Sequence, residues 1–221
     1  MPGSPGWRDR RNRQDRRDRQ AAWPPPNPVG AHFLVDHGQI GRLVAASGVG
    51  EGDLVLDLGA GYGALTGPLA ATGARVIAVE LDPALAGRLR RRFAGEPAVR
   101  VAEADLRQLP LPRRPFHVVA SPPFALTTQL CRRLLGDRAV RLAGAELVLG
   151  WGAAKWLSQP RPADAQVARW AARYEISLVR RIPAACFAPP PASDAAQVSI
   201  RPRRARQPLQ ADRLQGGRQR A

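Results

Sequence analysis

The fold of this chain is decided by the stretch Asp53-Leu-Val-Leu-Asp57-Leu-Gly59-Ala-Gly61-Tyr-Gly63. Its apolar residues between Leu54 and Leu58 form a short run that is typical of a buried parallel strand. Glycines at alternate positions follow, and a helical pattern covers residues 64–71. A strand, a glycine turn and a helix in this order build the nucleotide-binding crevice at the carboxyl end of a parallel sheet. The sequence therefore predicts a ligand-binding turn directly after a buried strand.

An acidic residue stands before the glycines, so that the pattern is D-x-G-x-G-x-G and not the dinucleotide pattern G-x-G-x-x-G. The dinucleotide pattern places a pyrophosphate at a helix N-terminus, and a carboxylate at Asp57 would repel that phosphate. The same carboxylate suits an ammonium or a sulfonium group. The pattern resembles the first motif of S-adenosylmethionine-dependent methyltransferases. The alternative is a glycine-rich turn that binds no ligand.

Two further acids follow the next two predicted strands. Residues 75–80 end in Glu80, 23 residues after Asp57, where a carboxylate can accept from both ribose hydroxyls of a nucleoside. Residues 98–103 lead to Asp105, which can accept from the exocyclic amine of an adenine ring. Because parallel strands end at one edge of a sheet, the three carboxylates predict a single nucleoside site there.

Strand patterns and helical patterns alternate through the first two thirds of the chain, and this alternation predicts the fold class. We expect an α/β fold with a doubly wound, mostly parallel sheet, Rossmann-like, as in class I S-adenosylmethionine methyltransferases. Asp82 as N-cap and Pro83 at the first position predict a helix that ends at Gly95. Further helices are expected at residues 39–47 and 125–135, and further strands at residues 116–120 and 145–149.

Composition divides the chain into four parts. Residues 1–26 are rich in arginine and proline and predict a disordered tail, and residues 202–221 predict a disordered basic tail. Residues 27–150 are expected to form the cofactor-binding catalytic domain. Residues 151–201 are expected to form a small RNA-binding cap beside the main sheet. Within the cap we expect helices near 153–158 and 164–172 and strands at 174–180 and 197–201.

The net charge of +16 comes almost entirely from arginine, since Lys155 is the only lysine. Seven arginines stand against three aspartates in residues 1–26, and seven stand against Asp212 in residues 201–221. This excess predicts a polyanionic partner such as a nucleic acid. The alternative is that the tails only confer solubility, or that they reflect a genome composition that favours arginine.

The spacing of cysteine and histidine predicts no metal site. Cys131 and Cys186 have neither metal nor redox spacing, and the three histidines form no ligand pattern. No apolar run is long enough to span a membrane, and the N-terminus lacks an apolar signal core. We therefore expect a cytoplasmic protein without a metal or a membrane partner, and we expect it to be a monomer.

The segment Ser121-Pro-Pro-Phe124 carries the candidate chemistry. The exocyclic amine of adenine is a poor nucleophile because its lone pair is shared with the ring. Acceptors on the two amine hydrogens, Ser121 Oγ and the Pro122 carbonyl, would localise that pair, and the two prolines would fix the carbonyl directions. Phe124 would hold the ring by stacking, which stabilises binding by about 1–3 kcal/mol per base. The alternative is a proline-rich corner without a chemical role.

Aromatic and basic residues are interleaved after residue 150, a composition that suits stacking on unpaired bases and binding of phosphates. The candidate stacking groups are Trp151, Trp156 and Trp170, which alternatively form the core of the cap. The expected RNA-binding residues are Arg132, Arg133, Lys155, Arg161, Arg169 and Arg173.

Over residues 28–201 the chain resembles the rRNA adenine N6-methyltransferases, and within them the Erm macrolide–lincosamide–streptogramin resistance enzymes. The most specific segment is Arg181-Ile-Pro-Ala-Ala-Cys-Phe-Ala-Pro-Pro-Pro-Ala-Ser-Asp-Ala-Ala196, which is similar to the family's Phe-x-Pro-x-Pro-x-Val-Asp-Ser/Ala-Ala. Residues 30–36 look like the family's opening Gln-Asn-Phe-Leu segment, with His32 in place of the Asn. Ser121 stands where the family has an Asn that accepts from the target amine.

The resemblance implies that the cofactor is S-adenosylmethionine and that the target is one adenine of 23S rRNA, whose methylation abolishes macrolide binding. It implies that the catalytic residues are Ser121, Pro122 and Phe124. It implies that the cofactor is held by His32, Leu34, Asp57, Gly59, Gly61, Gly63, Glu80, Leu81, Asp105, Leu106 and Ser121. Mono- and dimethylation both stay open, as do naked rRNA and an assembling large subunit as the substrate.

Three other functions are compatible with the sequence. One is a housekeeping small-subunit rRNA dimethyladenosine transferase, although those enzymes have a larger C-terminal domain. Another is an RNA-binding or assembly protein that kept the fold and lost turnover at Ser121. The third is a small-molecule methyltransferase, and the net charge of +16 argues against it.

Overall fold

The computed structural model of the protein describes residues 31–203. The helices are α1 (His37–Ser47), α2 (Thr66–Ala70), α3 (Pro83–Arg92), α4 (Thr127–Gly136), α5 (Trp151–Leu157) and α6 (Ala165–Arg173). The strands are β1 (Phe33–Leu34), β2 (Leu54–Leu58), β3 (Arg75–Glu80), β4 (Val99–Glu103), β5 (Phe116–Ala120), β6 (Leu142–Gly150), β7 (Tyr174–Ile182), β8 (Phe187–Ala188) and β9 (Ala195–Pro202). The expected tail at residues 1–26, and residues 204–221 of the other tail, lie outside this range.

Seven strands form the central sheet, in the order β4-β3-β2-β5-β6-β9-β7. The first five are parallel to one another, while β9 is antiparallel to both β6 and β7. The predicted fold class, an α/β fold with a mostly parallel sheet, is confirmed. The strand order reverses between β2 and β5, and the ligand crevice of such a sheet lies outside the carboxyl ends of these strands. β2 ends at Leu58, before the glycine turn, and β5 ends at Ala120, before Ser121.

The central strands are apolar because helices cover both faces of the sheet. Every residue of β2 is buried, and in β5 only His117 is not fully buried. Side chains of α4, α5 and α6 fill one face in a cluster that includes Phe116. Side chains of α1 and α2, among them Leu43 and Leu69, fill the other face. No helix in residues 31–203 is both long enough and apolar enough to cross a lipid bilayer.

Several predicted boundaries agree with the structure to the residue. The strands expected at 75–80 and 116–120 are β3 and β5. The Asp82 carboxylate caps α3 by accepting from the backbone N–H groups of Ala84 and Leu85, at 2.7 and 3.2 Å. The helix ends at Arg92 and not at Gly95, because the chain leaves the helical conformation at Phe93.

Residues 151–201 do not form a separate cap beside the main sheet, and this part of the prediction was wrong. β9 pairs with β6 and β7 pairs with β9, so both strands extend the central sheet. The physical reason is that the outer edge of β6 would otherwise present unpaired backbone N–H and C=O groups. Both strands were expected from their patterns. A pattern indicates which side chains of a strand are buried, but it does not indicate the neighbouring strand.

Trp151, Trp156 and Trp170 belong to the packed part of the chain, which agrees with the core interpretation. Trp170 is only 3% exposed, and its ring meets that of Trp156 edge to face with centroids 6.2 Å apart. Trp151 and Trp156 are half-buried against the same apolar cluster. A ring as deeply buried as Trp170 has no face left for an RNA base.

A polar network that the sequence did not predict lies inside the sheet between β6 and β9. Glu146 is 1% exposed, and its carboxylate accepts from Gln197 Nε2, from Ser199 Oγ at 2.9 Å and from Arg201 Nη2 at 2.6 Å. Arg201 also donates to the carbonyl of Ala46 in α1, at 2.8 Å. The network therefore ties α1 to the antiparallel end of the sheet.

Replacement of Glu146 by Ala should lower the free energy of unfolding by about 3 kcal/mol, because it leaves the buried partners of the carboxylate without an acceptor. Glu146→Gln keeps an acceptor oxygen and should cost clearly less. Urea denaturation of both variants and of the wild type measures the difference. Equal stabilities of the wild type and Glu146→Ala would contradict the importance of this network.

Candidate cofactor and adenine site

Three glycines shape the turn between β2 and α2. Their φ angles are +77° at Gly59, +54° at Gly61 and +79° at Gly63, values that other residues rarely adopt. A Cβ at Gly61 would lie 2.8 Å from the ring of Phe33, and a Cβ at Gly59 would lie 3.4 Å from Pro123. The turn is thus packed between the N-terminal segment and the segment after β5, and a larger residue at Gly61 would displace the Phe33 ring.

The carboxylate of Glu80, at the end of β3, accepts from three backbone N–H groups. Oε2 accepts from Gly61 N at 2.8 Å, and Oε1 accepts from Leu81 N at 2.8 Å and from Asp82 N at 3.0 Å. A carboxylate has about four lone-pair positions, so roughly one is left for a ligand. Glu80 therefore holds the glycine turn in place and still offers an acceptor at the sheet edge.

Asp57 lies beneath the glycine turn, away from the solvent. It is 1% exposed, and its Oδ2 accepts from Thr66 Oγ1 at 2.6 Å. Burial raises the pKa of Asp57 to about 7; the bond from Thr66 opposes the rise and the charge of Glu80 adds to it. The carboxyl is therefore partly protonated at neutral pH, so that its charge alone does not select a cationic ligand. Its role in cofactor binding stays a prediction.

Asp105 lies just beyond β4 and is paired with Arg107. Its carboxylate accepts from the Arg107 backbone N–H and from Nε, both at 2.8 Å, and lies 2.6 Å from Nη2. These bonds from Arg107 hold the pKa of Asp105 below its usual value. A ligand amine at Asp105 would share the carboxylate with this guanidinium. Leu106 packs against the core, whereas Leu81 is 57% exposed beside Glu80 and presents an apolar face at the rim of the site.

Ser121 has a buried hydroxyl oxygen without a hydrogen-bond partner among the residues that the structure describes. The residue follows β5 directly, and the next residue, Pro122, lies against the glycine turn, with its Cα 3.5 Å from a Cβ built at Gly59. A buried hydroxyl without a partner costs about 1–3 kcal/mol, so such a group in a native protein calls for a functional explanation. A ligand hydrogen would supply the missing partner once rotation about χ1 turns Oγ toward the crevice.

The ring of Phe124 is half-buried among other rings. Its centroid lies 5.8 Å from that of His32 and 5.9 Å from that of Phe187, which meets it edge to face. Gly150 lies behind the ring, which a Cβ at that position would approach to 3.4 Å. These contacts fix the orientation of the ring. Its stacking on a target base stays a prediction.

The N-terminal segment is fastened to the site by the segment around β8. β1 and β8 pair antiparallel, with Phe33 opposite Ala188. His32 Nδ1 and the Pro189 carbonyl form a hydrogen bond of 2.9 Å. Leu34 is 3% exposed, so its side chain serves as an anchor in the core. Phe33 and Phe187 were not predicted as site residues. They could have been predicted, because Phe33 and Phe187 are the aromatic residues of the two segments, 30–36 and 181–196, that resemble family motifs.

The expected RNA-binding residues have different surroundings. The guanidinium of Arg133 donates to two backbone carbonyls in the loop after Asp105, and Arg173 donates to a carbonyl of α4 at 3.0 Å. These two side chains are held in place by the protein itself. Lys155 lies over the ring of Trp151, at 5.8 Å from its centroid. The remaining ones, Arg132, Arg161 and Arg169, are exposed. RNA binding by all six stays a prediction.

The site combines groups that fit a nucleoside cofactor. An acceptor at Glu80, an apolar face at Leu81 and a second carboxylate at Asp105 follow one another along the carboxyl ends of β3 and β4. The unpartnered hydroxyl of Ser121 lies on the other side of the glycine turn. Within residues 31–203, no group of three or more His, Cys, Asp or Glu side chains is arranged to hold a metal ion.

Comparison with known proteins identifies related chains. The family model for "Ribosomal RNA adenine dimethylase" matches residues 27–215. An rRNA adenine N-6-methyltransferase of Bacillus licheniformis is 33% identical over 175 residues, which cover 79% of this chain and 61% of the relative. The mycinamicin-resistance protein MyrB of Micromonospora griseorubida is 37% identical over 188 residues, which cover 85% of this chain and 58% of the relative. This chain thus spans about three fifths of the length of these two relatives.

Similarity extends to a second group of relatives and to solved structures. A ribosomal RNA small subunit methyltransferase A of Synechococcus is 37% identical over 186 residues, which cover 78% of this chain and 68% of the relative. The crystal structure of the 23S rRNA methyltransferase ErmE superposes with a TM-score of 0.72 at 29% identity, covering 77% of this chain and 70% of that one. The fold of this chain is therefore that of an rRNA methyltransferase.

The raised pKa of Asp57 predicts a specific pH dependence of stability. The folded protein keeps this proton up to about pH 7, whereas an unfolded chain releases it near pH 4. Between these values the folded state binds more protons, so its free energy of unfolding falls as the pH rises. Relative to Asp57→Asn, the wild type should lose on the order of 4 kcal/mol between pH 4 and pH 7.

Urea denaturation at a series of pH values measures this difference. Glu175→Gln, which changes an exposed carboxylate of β7, is the control and should follow the wild type. A constant difference between the wild type and Asp57→Asn across this range would contradict the account of Asp57.

Proposed function

This chain belongs to the ribosomal RNA adenine dimethylase family, and we propose that it transfers a methyl group from S-adenosylmethionine to the N6 amine of an adenine in rRNA. The observation that carries the proposal is the buried, unpartnered hydroxyl of Ser121, whose neighbour Pro122 lies against the glycine turn. An amine that must be aligned for methylation requires an acceptor at such a place. The similarity to rRNA adenine methyltransferases supports the same activity.

The strand ends provide the groups that would hold the cofactor. Glu80 would accept from a ribose hydroxyl, Leu81 would pack against the adenine ring, and Asp105 would accept from the adenine amine beside Arg107. The glycine turn leaves room for close approach of a ligand to the backbone. S-adenosylmethionine, when bound, supplies a methyl group on a positively charged sulfur.

Ser121 and Pro122 would prepare the target amine. Their oxygens are acceptors for its two hydrogens, and these bonds localise the nitrogen lone pair that the ring would otherwise share. The prolines fix the backbone, so the alignment is built in before the substrate binds. Phe124, whose ring is fixed by His32 and Phe187, would stack on the target base. A paired adenine would first have to leave its helix, which costs a few kcal/mol.

We propose 23S rRNA as the target and macrolide–lincosamide–streptogramin B resistance as the consequence. The proposal is supported by the likeness to ErmE and MyrB, whose names state 23S methylation and mycinamicin resistance respectively. The small-subunit relative of Synechococcus, at 37% identity, favours a second candidate, a housekeeping methyltransferase of small-subunit rRNA. The net charge of +16 suits either RNA and argues against a small-molecule substrate.

Methylation of isolated rRNAs distinguishes the two candidates. The full chain is incubated with labelled S-adenosylmethionine and protein-free 23S or 16S rRNA, and the digested nucleosides are analysed by mass spectrometry. We expect N6-methylated adenosine from 23S rRNA alone. Methylated adenosine from 16S rRNA alone would contradict the proposed resistance function and support the housekeeping methyltransferase. Cofactor binding without product from either RNA would contradict the methyltransferase proposal for rRNA.

Substitutions of Ser121 test its role as acceptor. Ser121→Ala removes a single hydrogen bond, of about 1 kcal/mol, and should lower turnover roughly fivefold to tenfold, more than it lowers cofactor affinity. Ser121→Asn restores a longer acceptor and should raise the ratio of dimethyl- to monomethyladenosine. The control is Ser193→Ala, at an exposed serine. Unchanged turnover in Ser121→Ala would remove Ser121 from the mechanism.

A further inference from the structure

Two neighbouring hollows lie beyond the amino ends of β5 and β6, and the second continues along α4. The first has a volume of about 750 Å³ and is lined by Arg141, Arg173 and Arg203, and the second has a volume of about 420 Å³ and is lined by Arg113, Arg132 and Arg133. Val140 lines both, so the hollows adjoin. We call these six arginines the rear arginine surface.

Strand directions place the first hollow and Arg113 far from Ser121, whereas Arg133 on α4 reaches the loop after Asp105. Pro115, which also lines the first hollow, precedes β5, whereas Ser121 follows it. Arg141 precedes β6, which runs parallel to β5, and Arg203 follows the antiparallel β9. At roughly 3.3 Å per residue, the six residues from Pro115 to Ser121 separate the two edges by about 20 Å.

The rear arginine surface keeps a strong positive charge. Arg113 and Arg141 are exposed, and neither side chain forms a hydrogen bond or ion pair with another residue of the described range 31–203. The single acid that lines the hollows is Asp137, and its carboxylate accepts from the backbone of Ala139 at 2.8 Å. The two hollows together therefore place six cations against one carboxylate.

Backbone contacts hold three of these arginines in fixed positions. Arg203 Nε donates to the Ala171 carbonyl at 2.9 Å, and Arg173 and Arg133 also donate to backbone carbonyls. A carbonyl accepts a hydrogen bond but does not neutralise a guanidinium. Fixed guanidinium groups lose less side-chain entropy when they bind an anion, and their planar fork matches the oxygens of a phosphate.

We infer that the rear arginine surface binds backbone phosphates of the rRNA substrate, with Arg113 and Arg141, which precede β5 and β6, about 20 Å from the target adenine. The inference rests on the proposed function, and it adds a second RNA contact away from the active site. Charge complementarity favours RNA, since phosphates are the anions that arginine clusters bind most readily. The chain beyond Arg203 reinforces the choice, because residues 204–221 add five arginines against Asp212.

A contact at this distance predicts a dependence on the length of the RNA. An A-form RNA duplex advances less per base pair than the roughly 3.4 Å of B-DNA, so only RNA that extends more than about six base pairs from the target reaches the rear edge. A short hairpin around the target adenine should bind through the active-site edge alone. Long rRNA should bind through both edges.

The double variant Arg113→Gln/Arg141→Gln tests the inference in the full chain. Its affinity for protein-free 23S rRNA should fall roughly tenfold near 0.2 M salt, and the slope of log affinity against log salt should decrease by about 1.4–1.8 for the two lost phosphate contacts. Its affinity for a target hairpin with a stem of about four base pairs, which is shorter than about 14 Å, should equal that of the wild type.

The matched control is Arg91→Gln/Arg100→Gln, which removes two exposed arginines from α3 and β4 at the other end of the sheet. It should retain wild-type affinity for both RNAs. Unchanged affinity of the rear double variant for 23S rRNA would overturn the inference, as would equal losses in the two double variants. Thermal unfolding checks that all variants are folded.

Failure of the inference can be distinguished from failure of the proposed function. Methylation of 23S rRNA by the wild type reports on the proposed function, whatever the rear variant does. If the wild type methylates 23S rRNA and the rear variant binds it equally well, only the rear contact is wrong. If the wild type methylates no rRNA, the methyltransferase proposal fails, and the binding data still decide whether the rear surface contacts RNA.

Discussion

The Glu80 carboxylate accepts hydrogen bonds from three backbone N–H groups, and the rest of the site depends on this interaction. It joins the tip of β3 to Gly61 at the centre of the glycine turn and to the first residues before α3. The turn held in this way lies against Pro122 and Pro123 on one side and against the Phe33 ring on the other. One carboxylate thus fixes the turn beside which, under the proposed function, the cofactor and the target base would meet.

The site is closed by parts of the chain that are distant in sequence. The short sheet of β1 and β8 brings residues 32–34 against residues 187–189, and the aromatic rings of both segments surround Phe124. Because Phe33 also lies over Gly61, this small sheet connects the glycine turn with the proposed target pocket. The arginines near the amino ends of β5 and β6 lie away from this closed side and form a second, positively charged surface.

The sequence was sufficient for most elements of the parallel sheet and for the residues at its carboxyl edge. The alternation of apolar and polar residues, apolar runs and capping residues can all be read within one short segment. For this reason β3, β5 and the N-cap at Asp82 were predicted correctly. Pairing between strands that are distant in sequence produces no pattern within either segment. The antiparallel β9 and β7 and the sheet of β1 and β8 were therefore misplaced or missed.

Tertiary packing also determines the properties of the site residues that were not predicted. The position of Asp57 after β2 was clear, but its burial and its bond to Thr66 depend on how α2 packs. Arg107 was not expected at Asp105, and Arg133 and Arg173 were expected to bind RNA without regard to the carbonyls they contact. A charged residue in a sequence shows its charge, whereas its partner is fixed by tertiary structure.

A crystal structure of the full chain with S-adenosylmethionine would show whether the edge organised by Glu80 is the cofactor site. We expect a ribose hydroxyl that donates to Glu80 while Gly61 keeps its hydrogen bond to the same carboxylate. We also expect the methyl group to face Ser121. A cofactor bound elsewhere, or one whose ribose does not contact Glu80, would contradict this assignment of the site.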